Sequence, residues 1–225
     1  MYRVSTTTLD SYQAYLDEYI TKEQLIERLT EPFSPSVEME TGTAFHELMQ
    51  ADDVDKFYCV ETDTYICNGF HFKSEIIREC RRQCLKDYTP EMRTHELKVK
   101  KLIDTAHGVI ELVAKVDTLV GDEAHEVKTN WSSFSFDKYA GSWQWRSYSY
   151  IFGVERVQYQ VFELRADKDG VVSTLRDSHV FNCSPEPDNE AQIKSLLCEF
   201  AYFIKNNNLE EYFKTKTKDD AILVS

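Results

Sequence analysis

Val109–Val120 is dense in β-branched and apolar residues and predicts a strand. Gly121-Asp122-Glu123 is a turn signal, and His125–Thr129 predicts the returning strand. A tight turn on Asp122 and Glu123 sets Val120 across from His125, Leu119 across from Glu126 and Asp117 across from Lys128. Side chains alternate along a strand, so Asp117, Glu126 and Lys128 emerge on one side while Val127 turns toward the core.

Helical spacing dominates before the hairpin. Thr7 or Thr8 can cap a helix running to about Glu27, with Leu9, Tyr12, Leu16, Tyr19 and Ile20 on one face. Residues 30–41, with Pro32 and Pro35, read as a loop. Gly42-Thr43 opens a second helix, Ala44 to about Ala51, with Phe45 and Leu48 inward. Residues 58–62 and 64–67 predict a short hairpin around Asp63. Ser74 caps a third helix to about Asp87, stopped by Thr89-Pro90. Its inward residues are Ile76, Ile77, Cys80, Cys84 and Leu85, and its outward ones Arg78, Arg81, Arg82 and Lys86. Glu96–Ile103 is a strand pattern with Lys98 and Lys100 on one face.

Beyond the hairpin, residues 129–133 read as a loop. A helix follows from about Asp137 to Ile151, with Gly153 past its end. Gln144 and Tyr148, four apart, share a face of it. Strands near 156–165 and 171–181 flank a turn at 167–170, and helices over 189–205 and 209–213 close the chain. The 225 residues read as one domain in three parts: 1–108, 109–152 and 153–225.

Composition narrows the class. A hydrophobic content of 42% with 29 aromatic residues supports a folded globular protein. With no secretory leader and no apolar run near 20 residues, a soluble cytoplasmic protein with no membrane contact is expected, in a bacterial cell or a phage-infected host. Six cysteines make no CxxC pair or defensible zinc spacing, so Cys80 and Cys84, one turn apart, read as buried free thiols. The net charge of −13 argues at first against nucleic acid, but it is uneven. Residues 1–70 hold 14 acidic and 4 basic side chains, whereas His71–Lys101 holds nine basic against five acidic. An acidic protein with one basic path can still follow a phosphate backbone. A solvated helix face explains any single one of those charges equally well.

Two carboxylates and an ammonium on one patch suggest chemistry. Carboxylate oxygens suit Mg²⁺ or Mn²⁺, and a lysine beside them can orient a water or steady developing negative charge. A salt-bridged hairpin face is the competing reading, since 29% of the chain is charged. His46, alone on its helix, is on its own terms a structural or exposed histidine.

The order of these residues is more specific. Gly42-Thr43-x-x-His46, then Asp117, then Glu126-x-Lys128-Thr129, then Gln144-x-x-x-Tyr148 resembles the PD-(D/E)XK nuclease superfamily, in its RecB-like exonuclease branch. Ser5-x-Thr7-x-Leu9-x-x-Tyr12 is similar to the start of that branch. The motifs span residues 5–148. Ala114 stands where the branch usually has glycine, three residues before Asp117. Tyr15 and Leu16 stand where many relatives have the Cys-Pro that begins an iron–sulfur cluster, and no C-terminal cysteine triplet exists, so no cluster is expected.

The resemblance implies an α/β fold with a restriction-endonuclease-like core, a central mixed β-sheet flanked by helices. It implies a stand-alone Mg²⁺- or Mn²⁺-dependent DNA exonuclease, with one or two ions, that leaves 5′-phosphates in recombination, repair or phage replication. Asp117, Glu126 and the Val127 carbonyl would hold the ion with His46, Lys128 would position the water or stabilise the phosphorane, and Gln144 and Tyr148 would contact substrate or steady Lys128. Glu47 and Glu111 lie near the motifs as supporting groups. Arg81, Arg82, Lys98 and Lys100 are candidate DNA contacts, and Trp131, Trp143 and Trp145 candidates for stacking on unpaired bases, with core packing the alternative. The partner implied is DNA, single-stranded or at duplex ends, with a recombination or replication protein as a further partner. The competing functions are a structure- or sequence-specific endonuclease and a non-catalytic DNA- or protein-binding member of the same fold.

Overall fold

The computed structural model describes residues 1–84 and 93–214. The predicted end of the third helix (Leu85, Lys86, Asp87) and its Thr89-Pro90 stop lie outside the described residues. Nine strands and eight α-helices are present among those described, in an α/β arrangement with one mixed sheet flanked by helices. The strands are β1 Tyr2–Ser5, β2 Tyr58–Cys59, β3 Thr64–Cys67, β4 Phe70–Lys73, β5 Thr94–Thr105, β6 Gly108–Val120, β7 Glu123–Asn130, β8 Arg156–Ala166 and β9 Val172–Cys183. The helices are α1 Thr6–Leu16, α2 Lys22–Thr30, α3 Val37–Gln50, α4 Ser74–Cys84, α5 Phe136–Ala140, α6 Trp143–Phe152, α7 Asn189–Asn206 and α8 Glu210–Phe213. The sheet order is β1-β6-β7-β8-β9-β4-β3-β2, with β5 on β6. The β1/β6, β7/β8 and β4/β9 pairs are parallel and the others antiparallel.

β6 forks between two neighbours. Its first half pairs with β1 at Ile110–Val113, and its last residues, Thr118–Val120, pair with β7. The hairpin register differs from the expected one by two residues: Val120 faces Glu123, Leu119 faces Ala124 and Thr118 faces His125. Gly121 (φ 59°) lets the loop close over only Gly121-Asp122. A slip of two, unlike a slip of one, returns each side chain to its face. Asp117 therefore remains beside Glu126.

Three other boundaries move. The first predicted helix is two, α1 and α2. Glu18 adopts φ 62°, and Thr21 and Gln24 form a reciprocal capping box that restarts the chain in a new direction. Ser5, not Thr7 or Thr8, caps α1, and Leu16 and Tyr19 are exposed instead of buried. α3 begins at Val37, capped by Ser36, so Gly42-Thr43 lies inside the helix. Pro35 precedes the cap, where its ring does not obstruct a helix. The predicted 137–151 helix breaks at Gly141, where Ser142 caps α6 and the Asp10 carboxylate of α1 accepts from Ser142 Oγ and Trp143 N–H at 2.6–3.1 Å. Strands β1 and β4 have no counterpart in the sequence reading.

The apolar faces build three clusters. α1, α2 and α7 close over β1 and the start of β6 through Leu9, Tyr12, Ile193 and Phe200. α3 and α4 close over β3, β4 and β8 through Phe45, Leu48, Ile77 and Phe162. α5 and α6 close over β6–β8 through Tyr139, Tyr148, Tyr159 and Val161. Phe45 is fully buried, edge-on to Phe162 and tilted on Phe72. Such a side chain contributes about 1.5–3 kcal/mol by leaving water, so it fixes the rotation of α3 and thereby aims the next residue, His46.

Candidate active site

Gly42 seats α3 against the hairpin. A Cβ there would lie 3.0 Å from Thr129 Oγ1, so a larger residue would push the helix off β7. At that distance His46 Nδ1 stands 3.5 Å from Asp117 Oδ2. Where β6 and β7 part, side chains replace the ladder. Asp117 N–H donates to Glu126 Oε1 (3.1 Å), and Val127 N–H donates to Asp117 Oδ2 (3.0 Å). Lys128 Nζ donates to Glu126 Oε2 at 2.6 Å. Val127 packs its side chain beside the Phe45–Phe162 cluster, leaving its backbone to the site.

The electrostatics follow from burial. Burial lowers the His46 pKa to about 4, with the Lys128 charge adding to it against the pull of Glu126 and the Val127 backbone, so the imidazole is neutral at pH 7. Burial pushes the Asp117 and Glu126 carboxyls above the usual range, and the Lys128 ammonium opposes this at both. Burial alone would lower Lys128, but Glu126 and Asp117 outweigh it and the amine stays charged.

The donors suit a hard divalent cation: two carboxylates, a backbone carbonyl and one neutral imidazole. Two buried carboxylates with raised pKa values also gain from a cation between them. As the chain stands, the Lys128 ammonium takes that part at Glu126. Among the described residues, no three His, Cys, Asp or Glu side chains form a ready-made metal cluster. The donor types fit the ion.

His46, Asp117 and Lys128 open into a groove of about 810 Å³, lined also by Thr7, Glu38, Glu47, Gln50, Lys115, Lys138 and Trp131, with Glu126 buried behind it. The other predicted residues fall elsewhere. Tyr148 is fully buried, so the substrate contact expected of it is not available. Its hydroxyl donates to the Lys115 carbonyl at 2.6 Å and accepts from Gln144 Nε2 at 2.7 Å, tying α6 to β6 two residues before Asp117. Arg81, expected outward, folds back onto the end of α3 and donates to the Leu48, Met49 and Ala51 carbonyls at 2.5–3.1 Å, because those last-turn carbonyls lack helical partners. Arg82 pairs with Glu79 on its own helix, away from the groove. Lys98 and Lys100 stand on β5 opposite Lys115 and Val113, beside the groove without lining it. Trp145 is core and Trp143 donates to Gln13, so of the three tryptophans Trp131 alone reaches the groove. Glu47 lines the groove and accepts from Asn68, whereas Glu111 is buried beside Arg3.

Sequence reasoning missed Asp10, Lys115, Lys138 and the Glu96–Lys115 ion pair. None belongs to a spaced motif. The one signal for Asp10 was the helix break at Gly141-Ser142, which needs an outside acceptor for its new first turn.

No protein-family profile matches the chain, and no curated protein matches it. Among solved structures it is similar to SSO0001 (14% identity, TM-score 0.48, covering 92% of this chain and 78% of that one). It is also similar to the alkaline exonuclease LHK-Exo from Laribacter hongkongensis (15% identity, TM-score 0.40, covering 93% and 94%). The complex of LHK-Exo with dAMP gives 14% identity and a TM-score of 0.43, covering 92% and 94%. At such scores and identities the likeness says nothing of this chain's residues or chemistry. Among the described residues, no helix is long and apolar enough to cross a membrane.

Proposed function

We propose that residues 1–225 form one nuclease domain of the PD-(D/E)XK type, a Mg²⁺- or Mn²⁺-dependent DNA exonuclease that leaves 5′-phosphates. One observation carries this reading. An imidazole from α3 and an aspartate and a lysine from the β6–β7 fork meet in a single open groove, with the second carboxylate, Glu126, buried directly behind them and bonded to both Lys128 and the Asp117 backbone.

His46, Asp117, Glu126 and the Val127 carbonyl would hold the ion. When bound, such an ion lowers the pKa of a water and polarises the scissile phosphate. Lys128, kept charged by the two carboxylates, would stabilise negative charge developing on the phosphate. His46 offers a lone pair because burial keeps it neutral. Gln144 and Tyr148 act as positioning residues, fixing β6 through the Lys115 carbonyl.

Lys128→Ala is expected to abolish degradation of end-labelled single- and double-stranded DNA with either metal while circular dichroism stays native. Undiminished degradation by that variant rejects the assignment. Closed circular DNA separates an endonuclease, which cuts it, from an exonuclease, which does not. A non-catalytic DNA- or protein-binding role is the second reading, favoured by the Lys128–Glu126 ion pair, in which the ammonium already neutralises that carboxylate. It expects DNA retention with no degradation under any divalent ion.

A further inference from the structure

A second hollow of about 360 Å³ adjoins the groove, sharing Glu38 and Trp131 with it. We propose that this hollow is a nucleobase pocket, which takes one unpaired base of the strand whose phosphate lies at Lys128 and favours bases that carry an amino group. The identity of the occupant rests on the nuclease reading; the pocket's chemistry does not.

Its walls are apolar and aromatic, with Val37 from α3, Phe70 and His71 from β4, and Trp131 just beyond β7. The size lies within the range of small-molecule sites. No lysine or arginine lines it, and two carboxylates do, Glu38 and Asp169. A phosphate finds no cation there, whereas the groove sets Lys115, Lys128 and Lys138 among its carboxylates Glu38, Glu47, Glu96 and Asp117. An uncharged ring with aromatic faces suits Phe70 and Trp131, and stacking of this kind tolerates any base.

Carboxylates only accept hydrogen bonds, so they reward donors on the base edge. Adenine and cytosine present exocyclic amines with two N–H donors, whereas thymine has a carbonyl at the corresponding position and offers only its N3–H. The two sites are joined by geometry as well. Trp131 follows Lys128 by three residues of extended chain, about 10 Å, so a strand lying in the groove brings a base to the pocket mouth. Gly69 and Gly170, both at positive φ with open space where a Cβ would point, keep two sides of the hollow clear.

The test uses nucleosides, which have no phosphate and so read the pocket alone. Tryptophan fluorescence of the whole chain is titrated with deoxyadenosine, deoxycytidine and thymidine in EDTA. Saturable quenching by the first two, weaker for thymidine and absent in Trp131→Phe, is expected. Phe70→Leu, which keeps apolar bulk without a stacking face, is expected to weaken binding about tenfold, and Asp169→Asn to narrow the preference over thymidine. Because Phe70 also packs against the core, native circular dichroism of that variant is required, and Asp169→Asn, on an exposed turn, provides the independent arm. Quenching that never saturates, or thymidine binding as tightly as deoxycytidine, overturns the proposal. Nucleoside binding in a protein that degrades no DNA with any metal leaves the pocket standing and sinks the nuclease; degradation without nucleoside binding does the reverse.

Discussion

Replacing Lys128 by Met keeps the length of the side chain and removes its charge. Glu126 is 1% exposed and loses the ammonium that holds Oε2 at 2.6 Å. Breaking a buried pair on one side typically costs about 3–5 kcal/mol. Here protonation sets a ceiling. With an unfolded glutamate pKa of about 4.3, keeping Glu126 neutral at pH 7 costs about 4 kcal/mol, and at pH 5 about 1 kcal/mol. Burial already raises the folded pKa of Glu126, and losing the ammonium raises it further. A carboxyl with a raised folded pKa favours folding below its unfolded value and loses that contribution as pH rises through the folded one. The deficit of Lys128→Met is therefore expected to be about 2–4 kcal/mol at pH 7 and to shrink to about 1 kcal/mol at pH 5. Urea unfolding in EDTA at the two pH values measures it, and a cycle with Glu126→Gln completes the test. Glu126→Gln alone strands the ammonium, and the double variant regains most of the loss. A deficit equal at both pH values, or a double variant as weak as the sum of the singles, refutes the reasoning.

Three further outcomes follow from the packing. Gly42→Ala, which in a free helix gains about 1 kcal/mol, is expected to destabilise, because its methyl meets Thr129 Oγ1 and a β-branched residue on a strand yields little; denaturant midpoints should show the sign reverse in a Thr129→Ala background. Tyr148→Phe leaves the Lys115 carbonyl and the Gln144 amide without their partner, and is expected to cost about 1–3 kcal/mol in chemical denaturation. Asp10→Ala removes the acceptor for Trp143 N–H and Ser142 Oγ, with an expected loss of about 1–2 kcal/mol, most of it restored by Asp10→Asn in the same assay.

Local chemistry made much of the chain legible. The turn at Gly121, the alternation that keeps Asp117 beside Glu126, the left-handed Gly153 after α6 and the β8–β9 hairpin all depend on residues close in sequence. The i,i+4 spacing of Gln144 and Tyr148 correctly put them on one face, and their hydrogen bond follows from it. Spacing could not say whether that face looks into a groove or into the core.

Helix boundaries depend on which cap prevails. Gly42 resembles a helix opener, but Ser36 caps α3 six residues earlier and leaves Gly42 to the contact with Thr129, and the 137–151 periodicity runs through Ser142 until Asp10 arrives from α1 to support a new start. Arg81 looks like a solvent-facing cation until the open carbonyls at the end of α3 are placed within its reach. Residue order and side-chain period act through bonds and neighbours, so they are written in the chain itself. Which imidazole meets which carboxylate, and which charge is buried or free, depends on contacts between segments far apart in sequence, and those exist only once the apolar clusters have closed and fixed the distances.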